Sequence, residues 1–143
     1  MRHPRWAFGT VLLLLLVRPA APGESRASTR PPAAADIRTL TDKGEAVGPF
    51  EKLRVKDKYT VFDVYADWCG PCRMVDRYLR DLLATRKDIA VRRLNVVNFE
   101  SRLARQLGPD FDALPYVVVF DPKGKRTEIV GFDEDELDQA LGR

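Results

Sequence analysis

The feature that most limits the possible folds is an apolar run that leads into an amphipathic segment, with both cysteines of the chain at the junction. Residues 59–66 (YTVFDVYA) are nearly all apolar or β-branched, which predicts a strand buried on both faces. Residues 69–86 then follow a helical period. The apolar side of this helix comprises Met74, Val75, Tyr78, Leu79, Leu82 and Leu83, and the solvent side Arg73, Asp76, Arg77, Arg80 and Asp81.

Further strands are predicted at residues 37–40, 89–96 and 116–120, and a turn at residues 121–124 leads to an antiparallel return strand at residues 125–130. Strands that alternate with helices imply right-handed crossovers and a parallel core, to which the closing hairpin adds an antiparallel strand. We therefore expect an α/β fold with a mixed central sheet flanked by helices. Its chemistry is expected beyond the carboxyl end of a central strand.

Two further helices are predicted from capping residues. Asn98 is expected to cap a helix that carries Phe99, Leu103 and Leu107 and ends at Gly108 and Pro109. Asp133 and Glu136 form a capping pair for a last helix near the end of the chain. Residues 44–58 have no clear period, and they leave room for a short helix.

The first 23 residues have the order of a secretory signal peptide. Arg2, His3 and Arg5 precede an uncharged apolar run at residues 7–17, and small residues follow it. The run is short for a membrane-spanning helix, which needs about 20 apolar residues. The alternative is an uncleaved anchor formed by residues 6–17. Both interpretations place the folded part outside the cytoplasm, in the periplasm or in a secreted form.

Residues 24–35 are polar, small and proline-bearing, as in a flexible spacer, and residues 36–143 form the predicted domain. The positive net charge belongs to the signal segment, which contains three arginines and no acidic residue. Removing these three from the 24 basic residues of the chain leaves 21 basic and 21 acidic residues. The domain is therefore neutral, and we expect no nucleic-acid partner.

Cys69 and Cys72 have the C-x-x-C spacing, in the sequence Trp68-Cys69-Gly70-Pro71-Cys72. A helix N-terminus stabilises a thiolate, which is the nucleophile in disulfide exchange. A second sulfur one helical turn later is close enough to resolve a mixed disulfide. These two cysteines are therefore predicted to form a redox-active disulfide.

Other uses of the two cysteines are less well supported. A structural zinc site needs about four nitrogen or sulfur ligands, and the only histidine is His3, in the signal segment. Covalent haem attachment needs histidine where Arg73 stands. A purely structural disulfide between residues this close constrains little. Binding of Cu(I) by the two thiolates remains an alternative. We expect no resident metal and no cofactor besides the cysteine pair.

Residues 37–141 resemble the thioredoxin family. FDVYADWCGPC contains the active-site sequence of that family, and ALPYVVVF resembles its cis-proline segment. The resemblance implies a thioredoxin-like fold and thiol–disulfide oxidoreductase activity. The phrase YADWC also resembles the C-terminal periplasmic domain of the transmembrane electron transporter that keeps exported cysteines reduced.

The resemblance implies a role for individual residues. Cys69 would attack the substrate disulfide, and Cys72 would resolve the mixed disulfide. Asp63 falls where the family keeps a buried carboxylate that exchanges a proton with the second cysteine, and Arg93 matches the basic residue that pairs with it. Burial would raise the pKa of Asp63; the alternative is a solvent-facing position. Arginine cannot be deprotonated, which argues against proton relay through it.

Residues around the cysteines are expected to support substrate binding. Pro115 matches the cis proline that presents backbone to an extended substrate, preceded by Leu114, and Trp68 would flank the site. The alternatives are an ordinary trans proline and a core tryptophan. Gly70 and Pro71 complete the active-site loop. No proline lies between residues 73 and 86, so the helix is expected to lack the kink common in the family.

The residues between the cysteines, the buried acid and Leu114 before the proline resemble the reducing branch of the superfamily. We therefore expect an exported, monomeric reductase of protein disulfides. It would be renewed by a membrane electron donor, because cytosolic reductase cannot reach it. A disulfide oxidase or isomerase, a Cu(I) chaperone and an adaptor without turnover remain the alternatives.

Overall fold

The structure, a computed structural model, describes residues 34–143. The predicted signal peptide and residues 24–33 of the predicted spacer lie outside the described residues. Within residues 34–143, no helix has the length and apolar character needed to cross a membrane.

Residues 34–143 contain five strands and three α-helices, which form one α/β unit. The strands are β1 (Ile37–Thr41), β2 (Tyr59–Tyr65), β3 (Ile89–Asn95), β4 (Tyr116–Phe120) and β5 (Arg126–Val130), and the helices are α1 (Cys72–Thr85), α2 (Arg102–Leu107) and α3 (Glu134–Ala140). A short 3₁₀ helix (Phe50–Leu53) lies between β1 and β2, in the region where the sequence left room for one. Helix α1 runs without interruption over its 14 residues.

The strand order is β1-β3-β2-β4-β5, so β2 lies at the centre of the sheet. β1, β3 and β2 are parallel, whereas β4 is antiparallel to β2 and β5 is antiparallel to β4. The expected mixed α/β sheet is confirmed. β2 is hydrogen-bonded on both sides and its residues 60–64 are buried, which agrees with its apolar sequence.

The antiparallel part of the sheet begins at β4, one strand earlier than the alternation of strands and helices implied. To pair parallel with β2, the next strand would have to start at the opposite edge of the sheet, so the connection after β3 would have to run back along the length of β3. The seven residues of β3 span about 23 Å. Helix α2 has only six residues, or about 9 Å. The chain therefore re-enters the sheet at the end where β2 finishes, and Tyr116 pairs with Val64.

The prediction that Asn98 caps the second helix and that Phe99 lies inside it is wrong. Helix α2 begins at Arg102, and the side chain of Ser101 accepts a hydrogen bond from the backbone N–H of Ala104. Asn98 instead accepts one from the N–H of Glu100 in the preceding turn. Both side chains are good caps, and local sequence does not separate them. The cap at Asp133, whose side chain accepts from the N–H of Glu136, is confirmed.

The sheet separates two buried clusters because alternate residues of a strand point to opposite faces. Val61 lies in one cluster, with the apolar side of α1 and with Leu137 and Leu141 near the end of the chain. Phe62 and Val64 lie in the other, with the 3₁₀ helix, α2 and both cysteines. One residue of the predicted apolar stripe departs from this pattern, because Met74 is 51% exposed.

Candidate active site

Cys69 and Cys72 lie beyond the carboxyl end of β2, as the sequence analysis expected for the site. β2 ends at Tyr65 and α1 begins at Cys72, so the intervening loop carries Cys69. The two sulfurs form a disulfide with an S–S distance of 2.11 Å. Cys69 is 5% exposed and Cys72 is 4% exposed. The disulfide therefore lies just beneath the surface, beside the exposed Gly70 and Pro71.

Backbone hydrogen bonds hold Cys69 against the first turn of α1. The N–H of Cys69 donates to the carbonyl of Ala66 at 3.0 Å. The N–H of Cys72, the first residue of the helix, donates to the sulfur of Cys69 at 3.2 Å. N–H groups at a helix N-terminus have no partner within the helix. The N–H of Cys72 therefore favours negative charge on the Cys69 sulfur whenever the disulfide is reduced.

Asp63 is 0% exposed in the middle of β2. It is paired in register with Arg93 on the neighbouring strand β3, and the Nε–H of Arg93 donates to its Oδ2 at 3.3 Å. Within residues 34–143, its Oδ1 has no hydrogen-bond partner. The structure thus places this carboxyl in the interior and not on a solvent-facing side of the strand, with one of its two oxygens unsatisfied.

Burial raises the pKa of Asp63 to about 6 from its usual value of 3.8. The positive charge of Arg93 and its hydrogen bond lower the pKa, and the nearby Asp76 carboxylate raises it. Desolvation outweighs the ion pair because the 3.3 Å contact satisfies only one oxygen. The carboxyl therefore changes its protonation state near neutral pH, which is the range in which an acid or base is most effective.

Arg93 links this buried carboxyl to α1. Its Nη2 lies 3.5 Å from Oδ1 of Asp76, and its guanidinium stacks over the ring of Tyr65 with 4.1 Å to the centroid. Asp76 was predicted to face solvent, and this is wrong, because its side chain is half-buried against Arg93. Neither Asp76 nor Tyr65 was predicted as a site residue. Helical spacing does not reveal a partner on another strand.

A cavity of about 210 Å³ connects this cluster with the disulfide. Its lining includes both cysteines, Arg93 and Asp76. Polar groups on its walls make it suitable for water. The disulfide and the charged cluster next to Asp63 therefore share one solvent-accessible space.

Trp68 projects from the disulfide loop and is 59% exposed, so it is not a core residue. Its Nε1–H donates to the carbonyl of Val97 at 2.7 Å. Val97 has a backbone φ of 63°, which is rare for a β-branched residue. The loop after β3 thus holds the indole beside Cys69.

The Leu114–Pro115 peptide bond is cis. Leu114 and Tyr116 pack against the buried cluster that contains both cysteines. The carbonyl of Pro115 accepts a hydrogen bond from the N–H of Gly131 at 2.8 Å. The structure therefore packs this segment, 42 or more residues after Cys72 in the sequence, against the same buried cluster to which the disulfide belongs.

Comparison with known proteins identifies the family and the type of fold. The family model described as Thioredoxin matches residues 45–143. Among curated proteins, the chain is similar to Thioredoxin-2, mitochondrial, of Schizosaccharomyces pombe, with 33% identity over 99 residues, covering 69% of this chain and 72% of that protein. It is also similar to a thioredoxin of Malassezia sympodialis, with 31% identity, covering 64% of this chain and 87% of that protein.

Among solved structures, the chain is similar to thioredoxin f from spinach chloroplast in its short form. The TM-score is 0.58 at 24% identity, covering 76% of this chain and 92% of that one. The likeness shows that the arrangement of β2, α1 and the other elements is the thioredoxin-like fold.

Replacing Asp63 with asparagine is expected to stabilise the oxidised protein at pH 8 and to have little effect at pH 4. A pKa raised from 3.8 to about 6 means that the buried carboxylate destabilises the fold above pH 6, by at most about 3 kcal/mol. This penalty falls as the pH drops from 6 towards 3.8 and disappears below 3.8, where the carboxyl is protonated in both the folded and the unfolded states.

Urea unfolding of both proteins at pH 4, 6 and 8 measures the effect. Asp81→Asn, which changes an exposed acid on α1, is the matched control and should show no such pH dependence. An Asp63→Asn protein that is equally destabilised at all three pH values would contradict the raised pKa.

Proposed function

We propose that this chain, which belongs to the thioredoxin family and is a thiol–disulfide oxidoreductase, reduces protein disulfides outside the cytoplasm. The family model covers residues 45–143, and the chain carries a Cys69–Cys72 disulfide. The observation that carries the proposal is the hydrogen bond from the first N–H of α1 to the Cys69 sulfur. It distinguishes one sulfur of the pair as the nucleophile.

Cys69 begins the reaction as a thiolate. It attacks one sulfur of a client disulfide, the client S–S bond breaks, and the second client sulfur leaves as a thiolate and takes up a proton. Client and enzyme are then joined through Cys69. The N–H of Cys72 lies 3.2 Å from the Cys69 sulfur in the disulfide form. In the reduced form, a hydrogen bond from this N–H stabilises a negatively charged sulfur more than a neutral thiol, and it therefore favours the attacking thiolate.

Cys72 completes the reaction. It loses its proton and attacks the Cys69 sulfur, and the bond from Cys69 to the client breaks. The client sulfur leaves as a thiolate and takes up a proton, which completes the reduced client. Two electrons have then passed from the enzyme dithiol to the client, and the enzyme is left with the Cys69–Cys72 disulfide, the form described above. A membrane electron donor returns two electrons to the pair, and the uptake of one proton restores the Cys69 thiolate and the Cys72 thiol.

Asp63 receives the proton that Cys72 loses. Its pKa of about 6 lets it accept a proton at neutral pH and lose it again within a turnover. Arg93 remains charged throughout, so it adjusts the affinity of Asp63 for the proton without carrying the proton itself. Water in the cavity lined by Cys72 and Arg93 provides the route between the sulfur and the charged cluster.

Three features support reduction as the direction. Gly70 and Pro71 between the cysteines, the buried Asp63 and Leu114 before Pro115 all resemble the reducing branch of the superfamily. An exported reductase works in a compartment that keeps exposed thiols oxidised. It therefore depends on a donor that crosses or faces the membrane.

Single-cysteine variants test the order of attack. Cys72→Ser removes the resolving thiol, so mixed disulfides with client proteins should accumulate through Cys69 and be released by dithiothreitol. Cys69→Ser, the matched control, should trap none. The measurement is non-reducing electrophoresis followed by mass spectrometry of the cross-linked peptide. Trapping through Cys72 in the control would reverse the assigned roles.

The equilibrium potential of the cysteine pair tests the direction. A protein-disulfide reductase should have a potential more negative than about −230 mV, whereas strong oxidants lie near about −120 mV. Equilibration with glutathione, read by alkylation of free thiols, gives the value, and an insulin-reduction assay gives the activity. A potential near the oxidant value would favour the oxidase alternative.

Cell fractionation tests the location. The full chain, expressed with a C-terminal tag, should be found outside the cytoplasm. N-terminal sequencing should begin after Gly23, where the predicted signal ends. Replacing the apolar run with polar residues should retain the protein in the cytoplasm. Full-length protein in the membrane fraction would instead support an anchor formed by residues 6–17.

A further inference from the structure

Four aromatic side chains form a continuous row that begins at the disulfide loop, and we call them the aromatic row: Trp68, Phe99, Phe111 and Tyr116. The ring centroids of Trp68 and Phe99 are 5.8 Å apart, those of Phe99 and Phe111 5.5 Å, and those of Phe111 and Tyr116 5.4 Å. The planes are tilted or edge-on, as is favourable for aromatic pairs. The row joins the disulfide loop, the loop after β3, the loop after α2 and the start of β4.

Part of this row is exposed without an evident structural reason. Trp68 is 59% and Phe99 37% exposed. Residues 34–143 contain five exposed large hydrophobic side chains, and three of them, Trp68, Val97 and Phe99, lie in the row or contact it. Scattered exposed residues need no explanation, but a clustered apolar surface marks a site of interaction.

One end of the row adjoins the reaction centre. Trp68 is next to Cys69 in the chain. At the other end, Tyr116 follows the cis Pro115 and packs against the larger buried cluster of which both cysteines are members. A polypeptide whose disulfide is attacked by Cys69 therefore has this surface within reach of its neighbouring residues.

The row is held rigidly by polar contacts beneath it. The Nε1–H of Trp68 donates to the carbonyl of Val97, and the N–H of Val97 donates to Oδ1 of Asn95 at 2.9 Å. The side-chain amide of Asn95 in turn donates to Asp67 at 3.1 Å. The φ of 63° at Val97 is strained for valine, and such strain persists only where the surroundings enforce it. A preorganised surface loses little entropy on binding.

Acidic residues flank the aromatic row. Asp67 precedes Trp68, Glu100 follows Phe99, and Asp110 and Asp112 lie on either side of Phe111; all four acids are exposed. Helix α2 contributes Arg102 and Arg105, of which the second donates to the carbonyl of Glu100. We call the residues that flank the row its rim. Four acids against two arginines give the rim a net negative charge, whereas α1 exposes the positively charged Arg73 and Arg77.

We propose that the aromatic row binds an extended client segment that carries an aromatic and a basic residue beside its disulfide-bonded cysteine. The aromatic residue stacks on Phe99 and Trp68, and the basic residue faces the acidic rim. This rests on the proposed function, because the occupant of the surface is the polypeptide that Cys69 attacks. It adds a preference among clients that the two cysteines alone do not provide.

Three synthetic peptide disulfides test the preference. They are identical except at the two residues next to one cysteine, which are Phe and Lys, Ser and Lys, or Phe and Glu. The purified protein should reduce the first with a kcat/KM about tenfold higher than the second. It should also prefer the first over the third, and only this second preference should fade at high salt, because it is electrostatic.

Two variants assign the preference to the aromatic row. Phe99→Ser and Phe111→Leu should each lower the kcat/KM ratio of the first to the second peptide towards one. A ratio does not depend on the fraction of folded enzyme, so a destabilised variant remains informative. Met74→Ser removes a similarly exposed hydrophobic side chain from α1 and, as the matched control, should keep the wild-type ratio.

The possible failures are distinguishable. Equal kcat/KM values for the first two peptides, with hydroxyethyl disulfide still reduced, overturn the inference and leave the proposed function intact. Loss of activity towards every disulfide, hydroxyethyl disulfide included, overturns the proposed function and the inference with it. A wild-type dimer in analytical ultracentrifugation that Phe99→Ser dissociates would assign the row to a second copy of the chain and overturn the inference.

Discussion

The pairing of β2 with β3 is the interaction on which the rest of the site depends. The two strands are parallel and in register from Tyr59 opposite Ile89 to Tyr65 opposite Asn95. Because parallel strands end at the same edge of a sheet, the disulfide loop and the loop of Val97 emerge side by side. This pairing also sets Asp63 opposite Arg93. A one-residue shift of register would separate the charged pair and turn its members to opposite faces.

The buried carboxyl of Asp63 lowers the stability of the fold. An ordinary core would place an apolar residue at Asp63, and burial of a half-satisfied acid destabilises the folded state. Arg93 compensates only in part, because it also lies beside Asp76. The incomplete compensation leaves the pKa near 6. A fully satisfied ion pair would lower the pKa of Asp63 and move its titration away from neutral pH.

The chemistry of the site could be predicted from the sequence because the residues responsible for it lie close together in the chain. The apolar residues 59–66, the C-x-x-C pair and the amphipathic residues that follow lie within one continuous segment. Strand, loop and helix each follow from patterns of period two or 3.6. Asp63 stands out within that segment as an acid in an apolar strand. The resemblance of the same segment to the thioredoxin family then implied the order in which Cys69 and Cys72 act.

Only the tertiary structure decided how distant segments meet. The antiparallel entry of β4, the cap at Ser101, the contact of Asp76 with Arg93 and the aromatic row all depend on neighbours from other elements. Phe99 and Phe111 lie at least 30 residues from Trp68, and no period of the sequence connects them. Local patterns report which face of an element is apolar. They do not report what covers that face, because this depends on the lengths of the connections and on the registers of strands that pair far apart in the chain.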